Sequence, residues 1–168
     1  MSDTSSLSLR THWRSLALFV AAVTVTQLIG GLVTFPEIPT WYAHLNKPAW
    51  TPPNWLFGPV WTTLYILIAL AGWIVWNELP GEPKNKWRRP VMIFYVIQLV
   101  LNFLWSPLFF LGHFKMLALG VLTALVICVA VTIRYAYAVD RRAAYLLAPY
   151  LLWVAYASTL NAGIVYLN

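Results

Sequence analysis

The sequence is short of charged residues, which make up only 10% of the chain, whereas hydrophobic residues make up 61% and the mean hydropathy is +0.69. Soluble domains usually carry about 25% charged residues. This composition lies outside the range of water-soluble domains, so lipid is the expected solvent. The scarcity of charge thus excludes an ordinary soluble enzyme or nucleic-acid-binding domain.

Cysteine and acidic residues are also scarce. Cys128 is the only cysteine and lies in an apolar run, which excludes an intrachain disulfide and disfavours an activated thiolate. The acids lie in tails, loops or helix ends: Asp3, Glu37, Glu78, Glu82 and Asp140. The sequence therefore offers no carboxylate relay within a membrane and predicts no catalytic residue.

The histidines do not form a metal site. His12, His44 and His113 show no ligand spacing with Cys or acids, so no metal is predicted. His44 and His113 are expected on the same side of the membrane and could ligate a haem iron, but solvated loop histidines are the favoured interpretation.

Long apolar runs are what the sequence does contain. About 20 helical residues cross a bilayer, and the runs that reach this length are 16–34, 55–79, 90–110, 116–139 and 143–166. Thr51 is expected to cap the second helix and Asp140 the fifth. The predicted fold is an all-α membrane protein, a five-transmembrane-helix bundle forming a single domain over residues 1–168.

Basic residues predict the orientation of the bundle. One side of the membrane receives Arg10, Arg14, Lys84, Lys86, Arg88, Arg89, Arg134, Arg141 and Arg142. The other side receives only Lys47 and Lys115. Cytoplasmic loops are enriched in Lys and Arg. We therefore expect a cytoplasmic N-terminus and an external C-terminus, while the identity of the membrane stays open.

The first loop, from about residue 35 to 54, is rich in aromatic residues and proline. It contains Trp41, Tyr42, His44, Trp50, Pro36, Pro39, Pro48, Pro52 and Pro53. This composition is too stiff for a flexible linker and predicts an ordered external lid. The alternative is that the aromatic side chains lie at the headgroup level as an interfacial belt.

Polar and aromatic side chains form one stripe on each of three predicted spans. The stripes are Phe57, Trp61 and Tyr65; Gln98, Asn102 and Trp105; and Trp153, Ala157 and Asn161. Counted inward at about 1.5 Å per residue, most of them lie in the external half of the bilayer. We expect them to form one pocket, in which a flat apolar ligand stacks on the indoles and the Asn amides bind its polar edge.

Alternative roles remain open for several of these residues. Asn102 and Asn161 could instead form hydrogen bonds from helix to helix. Ala157 could be a helix-contact residue. On the fourth span, small residues recur every four positions at Gly120, Ala124, Cys128, Thr132 and Ala136. This stripe could contact another helix of the chain, the favoured interpretation, or a second protomer.

Three blocks of the sequence are rich in tryptophan, proline and asparagine. The first runs from Trp41-Tyr42 through Lys47-Pro48-Ala49-Trp50-Thr51-Pro52-Pro53-Asn54-Trp55 to Trp61 and Tyr65. The second is Gln98-Leu99-Val100-Leu101-Asn102-Phe103-Leu104-Trp105-Ser106-Pro107-Leu108-Phe109-Phe110, and the third runs from Pro149 through Trp153 and Ala157 to Asn161. In these blocks the sequence resembles the TspO/MBR family of tryptophan-rich sensory proteins and translocator proteins, and length and span layout agree over nearly the whole chain.

The resemblance implies a bundle that is often a homodimer and binds porphyrins such as protoporphyrin IX, or haem, with no obligatory cofactor. It implies ligand contacts from Tyr42, Trp50, Trp61, Tyr65, Asn102, Trp105, Trp153, Ala157 and Asn161. Animal members also bind cholesterol and benzodiazepine-type drugs. Their cholesterol motif pairs an aromatic with a basic residue near the end of the fifth helix, where this sequence has Tyr166, Leu167 and Asn168. Sterol binding by that motif is therefore not expected.

Three functions follow from the sequence and the resemblance. The leading hypothesis is a membrane receptor or stress regulator that binds a tetrapyrrole. The second is a slow enzyme that degrades the bound porphyrin in light, with indole oxidation as the protein's contribution. The third is a transporter or scaffold that shuttles lipid-like ligands. The expected partners of the protein are the tetrapyrrole, membrane lipids and a second copy of the chain, and no nucleic acid is expected.

Overall fold

The computed structural model describes residues 3–78 and 85–168, and the side chains of 12–78 and 86–168. Its helices are α1 (Asp3–Thr34), α2 (Asn54–Asn77), α3 (Asn85–Ser106), α4 (Lys115–Val139) and α5 (Arg141–Leu167). In these residues five helical segments are long and apolar enough to cross a membrane. The predicted all-α fold with five spans is confirmed, although the last predicted residue of the second span, Leu79, lies outside the described residues.

The helices begin earlier than the apolar runs suggested. α3 starts at Asn85, five residues ahead of Pro90, the predicted first residue of this span. A proline close to a helix N-terminus breaks few hydrogen bonds, and here only the carbonyl of Lys86 loses its usual partner. At the other end, Pro107 begins a π-helical turn, Pro107–Leu111, closed by a bond from the Gly112 N–H to the Pro107 carbonyl at 2.9 Å.

One of the two predicted helix caps is present. The Asp140 carboxylate accepts a hydrogen bond from the Arg142 backbone N–H at 2.7 Å and caps α5 as predicted. The prediction for Thr51 is wrong, because Pro52 and Pro53 separate it from the first helical residue, Asn54. The Thr51 hydroxyl is buried and has no hydrogen-bond partner.

Neighbouring helices pack in the order α1–α2, α2–α5, α5–α4 and α4–α3. A close approach of three helices centres on Gly72 of α2, where an added Cβ would stand 2.7 Å from the rings of Phe19 on α1 and Tyr95 on α3. The main core, which includes Ile68 and Leu122, is almost fully buried. This packing leaves α1 with the most exposed face of the five helices.

The stripe of small residues on α4 does not form one contact surface. Cys128, Thr132 and Ala136 are buried within the chain, whereas Gly120 and Ala124 are exposed. A repeat of four residues drifts by about 40° per step around a helix with 3.6 residues per turn. The two ends of the stripe therefore face different directions, and only the second half packs inside the chain.

We call the end of the bundle with segment 35–53 the loop end and the opposite end the basic end. The segment contains two short 3₁₀ turns, Phe35–Glu37 and Tyr42–His44. A second apolar cluster lies beneath it, formed by Tyr42, Phe109, Phe110, Ala118 and Ile164. The segment is thus packed onto the bundle, and a cavity remains between this cluster and the main core.

Candidate functional site

The cavity has a volume of about 470 Å³ and lies between α1, α2, α3 and α5. The wall includes eight of the nine predicted ligand contacts: Tyr42, Trp61, Tyr65, Asn102, Trp105, Trp153, Ala157 and Asn161. Three separate stripes of the sequence therefore converge on a single space. Their role in ligand binding stays a prediction.

Trp50 is the ninth predicted ligand contact, and the structure does not place it in the cavity wall. Its ring is 56% exposed, and its backbone carbonyl accepts a hydrogen bond from the Tyr156 hydroxyl at 2.7 Å. Loop residues have no helical period, so spacing along the chain does not indicate which way this indole faces.

Sequence reasoning missed the contribution of α1 and the π-helical turn. The additional wall residues are Gln27, Leu28, Gly30, Gly31, Leu32, Thr34, Phe35, Ile38, Asn54, Gly58, Ser106, Phe109, Phe110, Leu160 and Ile164. Phe57, which belongs to the predicted stripe of the second span, also lines the cavity. Gln27, a polar residue inside an apolar span, and the adjacent Gly30-Gly31 pair were the available signals. Leu32 and Phe35 are 74% and 68% exposed and also line the cavity, so the cavity is open beside α1.

Nine of the 24 described residues that line the cavity are aromatic. Trp61 stacks on Tyr65 with ring centroids 5.4 Å apart, and Trp105 stacks on Phe109 at the same separation. Trp153 meets the Phe57 ring edge to face at 5.7 Å. These contacts hold the rings in fixed orientations and leave flat apolar surfaces for a ligand.

Asn102 links three helices at the floor of the cavity. Its Oδ1 accepts a hydrogen bond from the Tyr65 hydroxyl of α2, and its Nδ2 donates to the Tyr150 hydroxyl of α5, both at 2.8 Å. The Asn102 and Tyr150 side chains are buried. The amide therefore fixes the spacing of α2, α3 and α5 at this depth.

Asn161 makes the corresponding link nearer the loop end. Its Oδ1 accepts from the Trp105 indole N–H at 3.2 Å, and its Nδ2 donates to the Lys115 carbonyl at 2.9 Å. Both Asn amides thus form helix-to-helix bonds, which is the alternative left open by the sequence. An Asn amide has two donors and two acceptor lone pairs, so each retains capacity for one further donor and acceptor contact.

A few buried polar atoms have no hydrogen-bond partner. Among the described buried side chains, atoms without a partner are Thr51 Oγ1, both amide atoms of Gln98, and Trp153 Nε1. Gln98 is fully buried outside the cavity wall, although it shares a helical face with Asn102. Trp153 lines the cavity, and its buried indole N–H is therefore a donor in the wall that has no partner within the protein and is free for an acceptor on a ligand.

The cavity is uncharged. Its described wall contains no Asp, Glu, Lys, Arg or His. Burial raises the pKa of the Tyr42 phenol above its ordinary value, so this side chain is a neutral hydrogen-bonding group at physiological pH. An apolar ligand can enter such a site without displacing an ion pair.

The histidines at the loop end are engaged outside the cavity. His113, with φ of 55°, stacks on Trp41 at 4.0 Å and lies 3.6 Å from the Glu37 carboxylate. His44 Nδ1 contacts the Thr40 carbonyl at 2.6 Å. Neither histidine lines the cavity, and the part of the chain that is described holds no group of three potential metal ligands.

The fold defines an integral, multi-pass membrane protein, and its described residues enclose an aromatic, uncharged cavity. The sequence model of the TspO/MBR family matches residues 17–167, and the chain belongs to this family.

Named relatives cover most of the chain. The tryptophan-rich protein TspO of Archaeoglobus fulgidus is 42% identical over 89% of this chain and 94% of its own length. The human translocator protein is 39% identical over 85% of this chain and 83% of its own length. The tryptophan-rich sensory protein of Cereibacter sphaeroides is 36% identical over 93% and 92%.

Proposed function

We propose that this protein is a membrane receptor or regulator that binds a tetrapyrrole, a porphyrin or haem, in the cavity. The observation that carries the proposal is the uncharged wall of indole and phenyl rings around a cavity of about 470 Å³. Flat, largely apolar molecules are the ligands that such rings bind best, by stacking. The names of the relatives, sensory and translocator proteins, are compatible with a small-molecule receptor.

Hydrogen bonding in the cavity also supports a tetrapyrrole with acidic side groups. The indole N–H of Trp153 is buried and unpaired. A buried donor without a partner costs about 1–3 kcal/mol, which a ligand carboxylate or carbonyl would recover.

We further propose that the basic end is cytoplasmic and that the loop end, with the cavity, is external. Arg88, Arg134 and Arg141 are located at the basic end, and Lys47 and Lys115 at the loop end. Positive loops are retained in the cytoplasm. Cys-accessibility labelling in sealed vesicles tests this: Cys introduced at Ala43 should react with an impermeant maleimide from outside, and Cys introduced at Lys86 should not.

Binding is tested by titrating protoporphyrin IX into the protein in lipid nanodiscs and following the anisotropy of the porphyrin emission. The wild type should saturate. Trp153→Phe should weaken binding by about tenfold, because it removes a donor worth about 1.4 kcal/mol and keeps a flat ring. Trp76→Phe is the matched control, since Trp76 is 48% exposed and outside the cavity wall.

The outcomes distinguish binding of the porphyrin at a specific site from its partitioning into the lipid. Saturation that Trp153→Phe weakens and Trp76→Phe leaves unchanged supports the proposal. A linear signal equal to that of empty nanodiscs would show that the porphyrin merely dissolves in the lipid.

A further inference from the structure

A short strap, residues 46–50, lies along α5. Asn46 exchanges two hydrogen bonds with the Asn168 side chain, at 3.0 and 2.9 Å. At the other end of the strap, the Trp50 carbonyl accepts from the Tyr156 hydroxyl at 2.7 Å. Partner numbers on α5 fall as strap numbers rise, so the strap runs antiparallel to the helix.

Between these two bonded ends, the strap is in direct contact with the backbone of α5. A Cβ added to Gly163 would stand 2.3 Å from Pro48 Cγ, 3.3 Å from its Cβ and 3.4 Å from its Cδ. Carbon atoms that are not bonded to each other do not approach to 2.3 Å. The proline ring is rigid, so it cannot rotate away as a flexible side chain could. The strap can therefore keep this position only while residue 163 has no side chain.

The strap is connected to the cavity at both of its ends. Tyr42 precedes it and Asn54 follows it, and both line the cavity. Within the strap, Lys47 Nζ lies 4.9 Å from the centre of the Tyr42 ring and donates to the Leu45 carbonyl at 3.0 Å. Displacing the strap from α5 would therefore move Lys47 away from the ring and remove one of the contacts that hold Tyr42 in the wall.

We propose that Gly163 is a positioning residue for the ligand site. The absence of a side chain at residue 163 leaves the space that the Pro48 ring occupies, which we call its seat. Pro48 in this seat holds the strap against α5 and helps to hold Tyr42 in the cavity wall. Gly163 itself does not line the cavity, whereas its neighbour Ile164 does. This inference rests on the proposed ligand binding, and it assigns control of ligand release to a residue that does not touch the ligand.

The test compares Gly163→Ala with Gly120→Ala in the full-length protein in nanodiscs. Both glycines lie within transmembrane helices, but an added Cβ at Gly120 meets nothing within 4 Å. Alanine favours helix by about 1 kcal/mol over glycine at either site. A difference between the two variants therefore reports the contact with Pro48 and not helix propensity.

Two readouts are needed. Without ligand, backbone hydrogen exchange of segment 43–51 should be at least about threefold faster in Gly163→Ala, because the strap's bonds to α5 open more often. With protoporphyrin IX bound, the dissociation rate should rise by about tenfold, since most affinity changes within one site appear in this rate. Gly120→Ala should match the wild type in both.

A second substitution, at Pro48, distinguishes a clash with the Pro48 ring from general damage to α5. Pro48→Ala removes the Cγ and Cδ atoms and should bring both values of Gly163→Ala most of the way back to those of the wild type. Failure of this rescue, or wild-type exchange in Gly163→Ala, would overturn the proposed seat. Faster exchange with an unchanged dissociation rate would overturn its control of the ligand.

The tests can reject the proposed function and the proposed role of Gly163 separately. If the wild type binds no porphyrin saturably, the proposed function is rejected and control of its ligand falls with it. The exchange measurement needs no ligand and still decides whether Gly163 seats the strap.

Discussion

At the scale of single residues, the same amides that could bind a ligand hold the helices together. Asn102 and Asn161 each use Oδ1 and Nδ2 on different neighbouring elements. Helical spacing in the sequence placed both residues on the same faces as the cavity tryptophans. It could not identify their partners, because spacing along one helix carries no information about which helix lies opposite.

Asn102→Ala should destabilise the protein. It leaves the buried hydroxyls of Tyr65 and Tyr150 without their partner, and interhelical hydrogen bonds in membranes contribute about 0.6 kcal/mol on average and up to about 1.7. Thermal unfolding in detergent should show a loss of about 1–2 kcal/mol. Asn54→Ala, at an exposed position of the cavity rim, should cost less than about 0.5 kcal/mol. Equal losses in the two variants would contradict the bridging role.

Gln98→Leu, in contrast, should stabilise the protein. Both amide atoms of Gln98 are buried without a partner, and the side chain is fully buried. Replacing it with an apolar residue of similar size removes a cost of about 1–3 kcal/mol and should raise the unfolding temperature. The control is Gln27→Leu, which breaks a bond to the Thr62 hydroxyl at 2.8 Å and should not stabilise. A lower unfolding temperature for Gln98→Leu would mean that the amide is satisfied in the membrane.

At the scale of elements, helix ends were less predictable than helix centres. Hydropathy located every span, because each must cover the same apolar thickness. It could not locate Asn85 or Asp3 as first residues, since polar turns extend a helix beyond its apolar run. The cap at Asp140 was predictable because capping depends on residues adjacent in sequence, and the π-helical turn after Pro107 was not.

The pH dependence of stability should reveal the Asp140 cap. Hydrogen bonding to the Arg142 side chain lowers the pKa of the Asp140 carboxyl below its ordinary value. A lowered folded-state pKa stabilises the fold above the unfolded-state pKa of about 4, and this contribution is lost as pH falls through the folded-state value.

The corresponding measurement is thermal unfolding of Asp140→Ala between pH 7 and pH 3. The variant should be less stable than the wild type by about 1 kcal/mol at pH 7, and the two should converge toward pH 3. Asp140→Asn keeps a capping oxygen and should retain most of the stability at pH 7. A wild-type advantage that grows toward low pH would refute this role.

At the scale of the whole molecule, the number and apolar character of the spans followed from composition and hydropathy. The convergence of three stripes on one cavity was also anticipated, because polar groups in lipid face the bundle interior. The wall from α1 was not anticipated, since α1 has the most exposed face and lacks an aromatic stripe. The position of Trp50 was unpredictable because it lies in a loop.

A homodimer stays a prediction at this scale. Gly120 and Ala124 of α4 are exposed small residues that do not pack inside the chain. If this face joins two copies, Gly120→Lys and Ala124→Lys should abolish crosslinked dimers in membranes, because a charge cannot be buried there cheaply. Ile127→Lys, 61% exposed one turn further along α4, tests the extent of the face. Unchanged dimers in all three variants would exclude it.

The most direct test of tetrapyrrole binding is an absorbance titration of the Soret band with protoporphyrin IX in nanodiscs, comparing wild type, Ala157→Phe and Leu152→Phe. Ala157 lines the cavity and is 8% exposed, whereas Leu152, on the same helix, is 72% exposed and lies outside the wall. We predict saturation at one porphyrin per chain, weakened at least about tenfold by the phenyl ring at 157 and unaffected at 152. Equal binding by all three proteins would contradict the assignment of the cavity as the tetrapyrrole site.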